Sequence, residues 1–287
     1  MNNFVLITDS TADLSENVVK ELGVEVIPIK FVMDDELYYD GELSNEEFYG
    51  KIASGAQVST TQINPQEFID VFEKHLKNNQ DIIYVSFSSG LSGIYNSACI
   101  AVHELKQLYP QRTIRIIDSL SASLGEGMLV YNMAQMKQSG ASFDEIVNWA
   151  EDTKHKICHW FMVNDLNHLQ RGGRISRATA VVGGMLNIKP ILFIENDGKL
   201  TVREKARGRR NAIEILMQKL KDQAENLTEQ TVFVLHSASA NDAKFLAEKI
   251  ISEVNPKEVV VSDIGFIISA HTGPGTVAVV FISNERK

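Results

Sequence analysis

Three short apolar runs in the first half of the chain, residues 4–8, 82–87 and 113–117, each break off into Ser, Thr, Asp or Gly. After each, apolar residues return at helical spacing, as at Val18, Val19 and Leu22, or over 95–109 and 125–139. Buried strands alternating with helices predict parallel βαβ units. Ligands of open parallel sheets gather at the carboxyl ends of the strands. The polar breaks after Thr8, Phe87 and Ile117 are therefore where a site is expected. Residues 24–31 read as one further strand.

The second half has another rhythm. Strands are expected at 189–195, 200–205, 231–237, 258–264 and 276–282, and helices at 211–223 and 242–253. Asn196-Asp197-Gly198-Lys199 is a hairpin signal between the first two of these strands. A hairpin mixed with βαβ-like pieces predicts a mixed sheet. The expectation is α/β with two domains, a parallel-sheet domain over 1–157 and a mixed-sheet domain over 158–287. At 287 residues, two domains also suit the length.

Composition narrows the function. The formal charge of −9 argues against nucleic acid and against anionic membrane surfaces as bulk partners. The first residues have no basic stretch followed by a long apolar one, and no run approaches the ~18 apolar residues of a membrane helix. The expected location is the cytoplasm, with at most transient membrane contact. Cys99 and Cys158 stand in no metal or CxxC spacing, and His155 and His159 lack the Glu of an HExxH pattern, so neither metal nor cofactor is expected.

Several polar segments stand out. Val58-Ser59-Thr60-Thr61-Gln62 precedes Asn64-Pro65, a helix start. It reads either as an N-cap cluster or as an anion site. Ser86-Phe87-Ser88-Ser89-Gly90-Leu91-Ser92-Gly93 follows a strand and opens a helix, a setting for a small anion or carboxylate. It is neither a P-loop nor a nucleophile elbow, since Gly90-Leu91-Ser92-Gly93 is one residue short of Gly-x-Ser-x-Gly. His271-Thr272-Gly273-Pro274-Gly275 sets a histidine in a rigid turn, where it could donate to a carboxylate. Two basic islands, Arg171 to Arg174 and Arg203 to Arg210, read as solvated charge or as a docking patch for an acidic partner.

Taken in order, Ile7-Thr8-Asp9-Ser10-Thr11-Ala12-Asp13-Leu14, Val58 to Gln62, Phe87 to Gly93, Ile117-Asp118-Ser119, Arg171-Gly172-Gly173-Arg174-Ile175 and His271 to Gly275 resemble the DegV family, the fatty-acid-binding subunits of bacterial fatty-acid kinases. The resemblance implies an acyl tunnel between the two domains. It implies a carboxylate held by the Thr61 and Ser92 hydroxyls, the Gly93 N–H and His271, with Thr272 beside it. It further implies two partners: one long-chain fatty acid, and an ATP-dependent fatty-acid kinase subunit that phosphorylates the bound carboxylate. Arg171, Arg174, Arg203 and Arg207 are then candidates for docking that kinase, and the chain itself has no catalytic residue. The rival expectation is a serine hydrolase of acyl esters using Ser92 or Ser10, His271, and Asp9 or Asp118. A lipid-sensing DNA regulator is a third reading, opposed by the acidic balance.

Overall fold

The computed structural model describes residues 3–180 and 187–287. β1 (Phe4–Asp9) runs through a short turn of 3-10 helix into α1 (Glu16–Leu22). Next come β2 (Glu25–Ile27), β3 (Lys30–Met33), β4 (Glu36–Tyr39), α2 (Asn45–Ala53), β5 (Val58–Thr60) and α3 (Pro65–Lys77). β6 (Asp81–Ser86), α4 (Ile94–Leu108), β7 (Ile114–Asp118), α5 (Leu124–Gln138) and α6 (Phe143–Thr153) follow, then β8 (Ile157–Met162), α7 (Asn167–Arg171) and α8 (Arg177–Ala180). The remaining elements are β9 (Ile188–Ile194), β10 (Leu200–Arg207), α9 (Arg209–Gln223), β11 (Thr231–His236), α10 (Ala240–Val254), β12 (Glu258–Asp263), α11 (Phe266–Thr272) and β13 (Val277–Ile282).

The first sheet is parallel, in the order β2-β1-β6-β7, and the second is mixed, in the order β10-β9-β8-β13-β11-β12. Both were expected. A third, small antiparallel sheet, β4-β3-β5, was not. It exists because the run over 24–31 is two strands rather than one. Pro28 offers no N–H to a ladder, so the chain leaves the parallel sheet after Ile27 and joins the small sheet at Lys30. β8 also went unread. All six of its residues are buried, and it lies in the middle of the second sheet between β9 and β13.

Local signals set the helix starts. Ser44 with Glu47, Asn64 with Glu67 and Ser142 with Glu145 each form a reciprocal capping box, and Pro65 takes the first turn of α3.

Strand alternation sorts the second sheet into two faces. Cys158, Trp160, Met162, Phe193, Val234 and Val279 face α9 and α10, where Ile213, Leu216, Leu246 and Ile250 cover them. The other face carries Phe161, Leu192, Ile194, Leu235, Ala278 and Val280, packed with Leu6, Val85, Met128 and Leu129 of the first sheet and α5. The two sheets thus share one apolar interior. α11 belongs to the second half in sequence, yet Phe266, Ile267 and Ala270 sit in the core with Phe31, Phe48 and Phe68. Phe266 stacks on Phe48 at 4.3 Å between ring centroids. This carries the end of α11 to β5.

Candidate functional site

A narrow apolar cavity lies between the two sheets. Its walls include Phe161, Ile194, Leu200, Leu235, Ala278 and Val280 from the second sheet, with Phe87, Leu91 and Ile94 from the first half. The space left for a water-sized body is about 80 Å³, so the walls stand close together, as in a slot for something thin.

One end of the cavity is polar. Thr60, Thr61, Ser92, Arg174, His271 and Thr272 all border it. The Thr60 hydroxyl lies 2.8 Å from Nε2 of His271. The Thr61 hydroxyl donates to the Lys30 carbonyl at 3.1 Å. Ser92 Oγ accepts from the Ile94 N–H at 3.3 Å, at the start of α4. Thr272 Oγ1 donates back to the Ile268 carbonyl. Burial, and secondarily the Arg174 guanidinium, lowers the His271 pKa to about 4, so its ring is neutral at neutral pH. Arg174 supplies the positive charge. Its Nε donates to the Leu91 carbonyl at 3.0 Å and Nη1 donates to the Gly172 carbonyl. Gly172 is required here, because a Cβ on it would fall 2.2 Å from His271 Nδ1.

Of the expected carboxylate residues, Thr61, Ser92, His271 and Thr272 come together at the cavity end. Gly93 stands at the N-terminus of α4 against the Gln62 amide and is not part of the cavity wall. Sequence reasoning missed Thr60 as the partner of His271. It also assigned Arg174 to a docking surface, whereas the side chain turns inward, because its hydrogen bonds go to Leu91 and Gly172.

Outside this end lies a polar hollow of about 630 Å³. Asp34, Asp35, Ser59, His168 and Arg171 line it, and it shares Thr60, Arg174 and His271 with the apolar cavity. Arg203, Lys205 and Arg207 lie elsewhere, all exposed on the edge strand β10, where a register irregularity between Val202 and Glu204 leaves Arg203 on the Phe193 side and Lys205 and Arg207 on the other face. Arg203 is held by a bidentate pair with Glu195, at 2.7 and 2.6 Å, while Arg207 is exposed. Arg209 is structural, bonded to Asp242, Asn164, Ser239 and the Gly275 carbonyl.

The hydrolase expectation finds no constellation among the described residues. His271 pairs with Thr60, not with Ser92. Asp9 is fully buried among Thr11, Tyr84 and the Phe87 N–H. Asp118 accepts from the Ser89 and Leu120 backbones. Ser10 Oγ accepts from the Ile29 N–H. No group of three or more His, Cys, Asp or Glu suited to a metal ion occurs among the described residues. No helix among them is long and apolar enough to cross a membrane.

A family model described as an uncharacterised protein of the DegV family matches residues 3–284. The chain belongs to the DegV family. A DegV domain-containing protein of Clostridium perfringens is 42% identical, covering 100% of both chains. Among solved DegV structures, one from Thermus thermophilus, described by its fatty acid binding, has a TM-score of 0.89 and 30% identity, covering 98% of this chain and 99% of that one. DegV of Bacillus subtilis, described as a fatty acid binding protein, has a TM-score of 0.85 and 28% identity, covering 99% of this chain and 100% of that one.

Proposed function

We propose that this DegV protein binds one long-chain fatty acid in the cavity between its sheets. The observation that carries the reading is a thin apolar slot closed at one end by hydroxyls, a neutral imidazole and one guanidinium. Each methylene buried there is worth about 0.8 kcal/mol. A single charged head group needs donors at one end only; Ser92, Arg174 and His271 offer them, and Thr61 does so once its hydroxyl turns from the Lys30 carbonyl. The fatty-acid-binding relatives from Thermus thermophilus and Bacillus subtilis support the ligand class.

The chain then acts as a non-catalytic carrier. A separate ATP-dependent kinase subunit reaches the carboxylate through the polar hollow and converts it to an acyl phosphate. The shared border of hollow and cavity at Thr60, Arg174 and His271 supports such an approach. The test is a titration of delipidated protein with oleate, followed by an acyl-phosphate assay with kinase and ATP. Saturable binding and kinase-dependent product are expected. Acyl phosphate formed without the kinase would overturn the carrier role.

A further inference from the structure

The acyl slot has a definite tail end. On β13, Thr276 borders the slot near its polar end, and Ala278 and Val280 follow on the same face. Val280 pairs with His159 of β8, and Ile194 of β9 pairs with Leu200 of β10. Trp160 pairs with Phe193, so His159 and Ile194 stand at one level. These four residues form a row across four strands, and all of them border the slot. Ile157 and Ile282, next along the same face, do not. Four residues of strand span about 13 Å. The row lies that far beyond Thr276 and marks where an acyl chain must stop.

The Arg286 guanidinium lies just past this row. Its Nε donates to the Ile157 carbonyl at 2.7 Å. Nη1 donates to the Leu120 carbonyl at 2.7 Å and to the Glu195 carbonyl at 3.2 Å. Nη2 donates to Ser121 Oγ at 3.2 Å and to the Lys154 carbonyl. All five N–H groups of the guanidinium are thus used, and none of these acceptors is a carboxylate. The residue is 1% exposed. Burying a charge against neutral acceptors is a costly way to fill space. What arginine adds is a flat fork that holds several segments at once. Three of these segments lead into the tail end of the slot. Ser121 is followed by Ala122 and Ser123, which border it. Glu195 follows Ile194, and Ile157 opens β8 two residues before His159. The loop before α5 most needs outside support, because Leu120 and Ser123 have φ of 51° and 53°, a region side chains rarely occupy. We propose that Arg286 is a positioning residue that ties these segments together, fixes the tail end of the slot and so sets the longest acyl chain the protein holds. The inference rests on the fatty-acid reading above and adds an upper limit on chain length.

The test titrates delipidated protein with palmitic, stearic, arachidic and behenic acid, and records thermal melts without ligand. Wild type, Leu200→Ala, Arg286→Met and Ser121→Ala are compared. In wild type, affinity should hold or rise with length and then fall, since methylenes forced into filled space are unfavourable. Leu200→Ala trims a side chain in the row itself and should move that fall to a longer acid. Arg286→Met should move it too. Its preference for the first acid past the wild-type limit, relative to palmitic acid, should rise about tenfold, the weight of roughly two more buried methylenes. Palmitic acid itself should bind as in wild type. Ser121→Ala removes one acceptor, leaves the guanidinium in place and should show a smaller shift; it carries the test if Arg286→Met does not fold. A lower melt with an unchanged length profile would mark Arg286 as purely structural and overturn the proposal. No fall in wild type through behenic acid, or no shift in Leu200→Ala, would misplace the tail end and overturn it as well. If wild type binds none of the acids, the ligand class itself is refuted and this inference falls with it.

Discussion

Nε2 of His271 lies 2.8 Å from the hydroxyl of Thr60, joining residues 211 positions apart in the chain. The contact spans the interface between α11 and the small sheet, and it fixes the ring at the polar end of the cavity. Thr60→Val keeps the shape and removes the partner. An unsatisfied buried donor or acceptor costs about 1–3 kcal/mol. Denaturant unfolding of the lipid-free protein should show a loss in that range. An unchanged midpoint would mean that the contact carries no weight.

Gly172→Ala tests the seat of the same ring. Residue 172 has φ −69 and ψ −11, which alanine adopts freely, so the backbone should tolerate the change. The new methyl would fall on His271 Nδ1. The variant should behave like His271→Ala, losing about tenfold in oleate affinity, or about 1.4 kcal/mol, and, because the Thr60 contact goes with the ring, losing stability to about the same extent as Thr60→Val. Wild-type affinity in both variants would remove His271 from the head-group site.

The buried carboxyl groups of the first half set a pH dependence. Burial, with Asp40 nearby, pushes the Asp13 carboxyl up to about 8. The folded state therefore holds a proton that the unfolded chain releases near the ordinary value of 3.8. The stability this proton lends falls as pH rises through that window. His271 has the opposite sign. Its value is lowered to about 4, so stability is lost as pH falls from 6.5 toward that value, and it is silent above neutrality. Between about pH 7 and about pH 9, wild type should lose roughly 1 kcal/mol more than Asp13→Asn. Parallel stability curves for the two proteins would contradict the assignment.

The docking surface is best probed at Arg207. Arg203 is already paired with Glu195, so its reversal would strand a carboxylate, whereas Arg207 stands exposed on the other face of the same strand. Arg207→Glu should slow acyl-phosphate formation by the kinase while oleate binding stays intact. Raising salt should slow the wild-type reaction in the same way, since steering charges are screened. Full kinase turnover in the variant would place the contact elsewhere.

Much of this was legible from the sequence, and the failures have physical reasons. The parallel sheet could be read because each strand ends in a polar break before a helix. β8 could not, because Ile157 to Met162 are buried on both faces and show no alternation. The run over 24–31 reads as one strand until Pro28 is weighed. The segment 58–62 offers three adjacent hydroxyls. Only the pairing of β5 with β3, and the path of α11 across to the first core, bring Thr60 to His271. Arg174 looks like surface charge in a basic island, and its inward turn depends on carbonyls far away in sequence or supplied by a local bend.

The central claim is a bound fatty acid, and the most direct measurement is mass spectrometry of the protein as purified. Native spectra and solvent extracts should show about one long-chain fatty acid per chain, held because exposing its methylenes to water is costly. Thr61→Ala should keep that occupancy, since losing one head-group hydrogen bond leaves chain burial untouched. A preparation that carries no fatty acid, and that takes up neither oleate nor palmitate when they are added, would contradict the account.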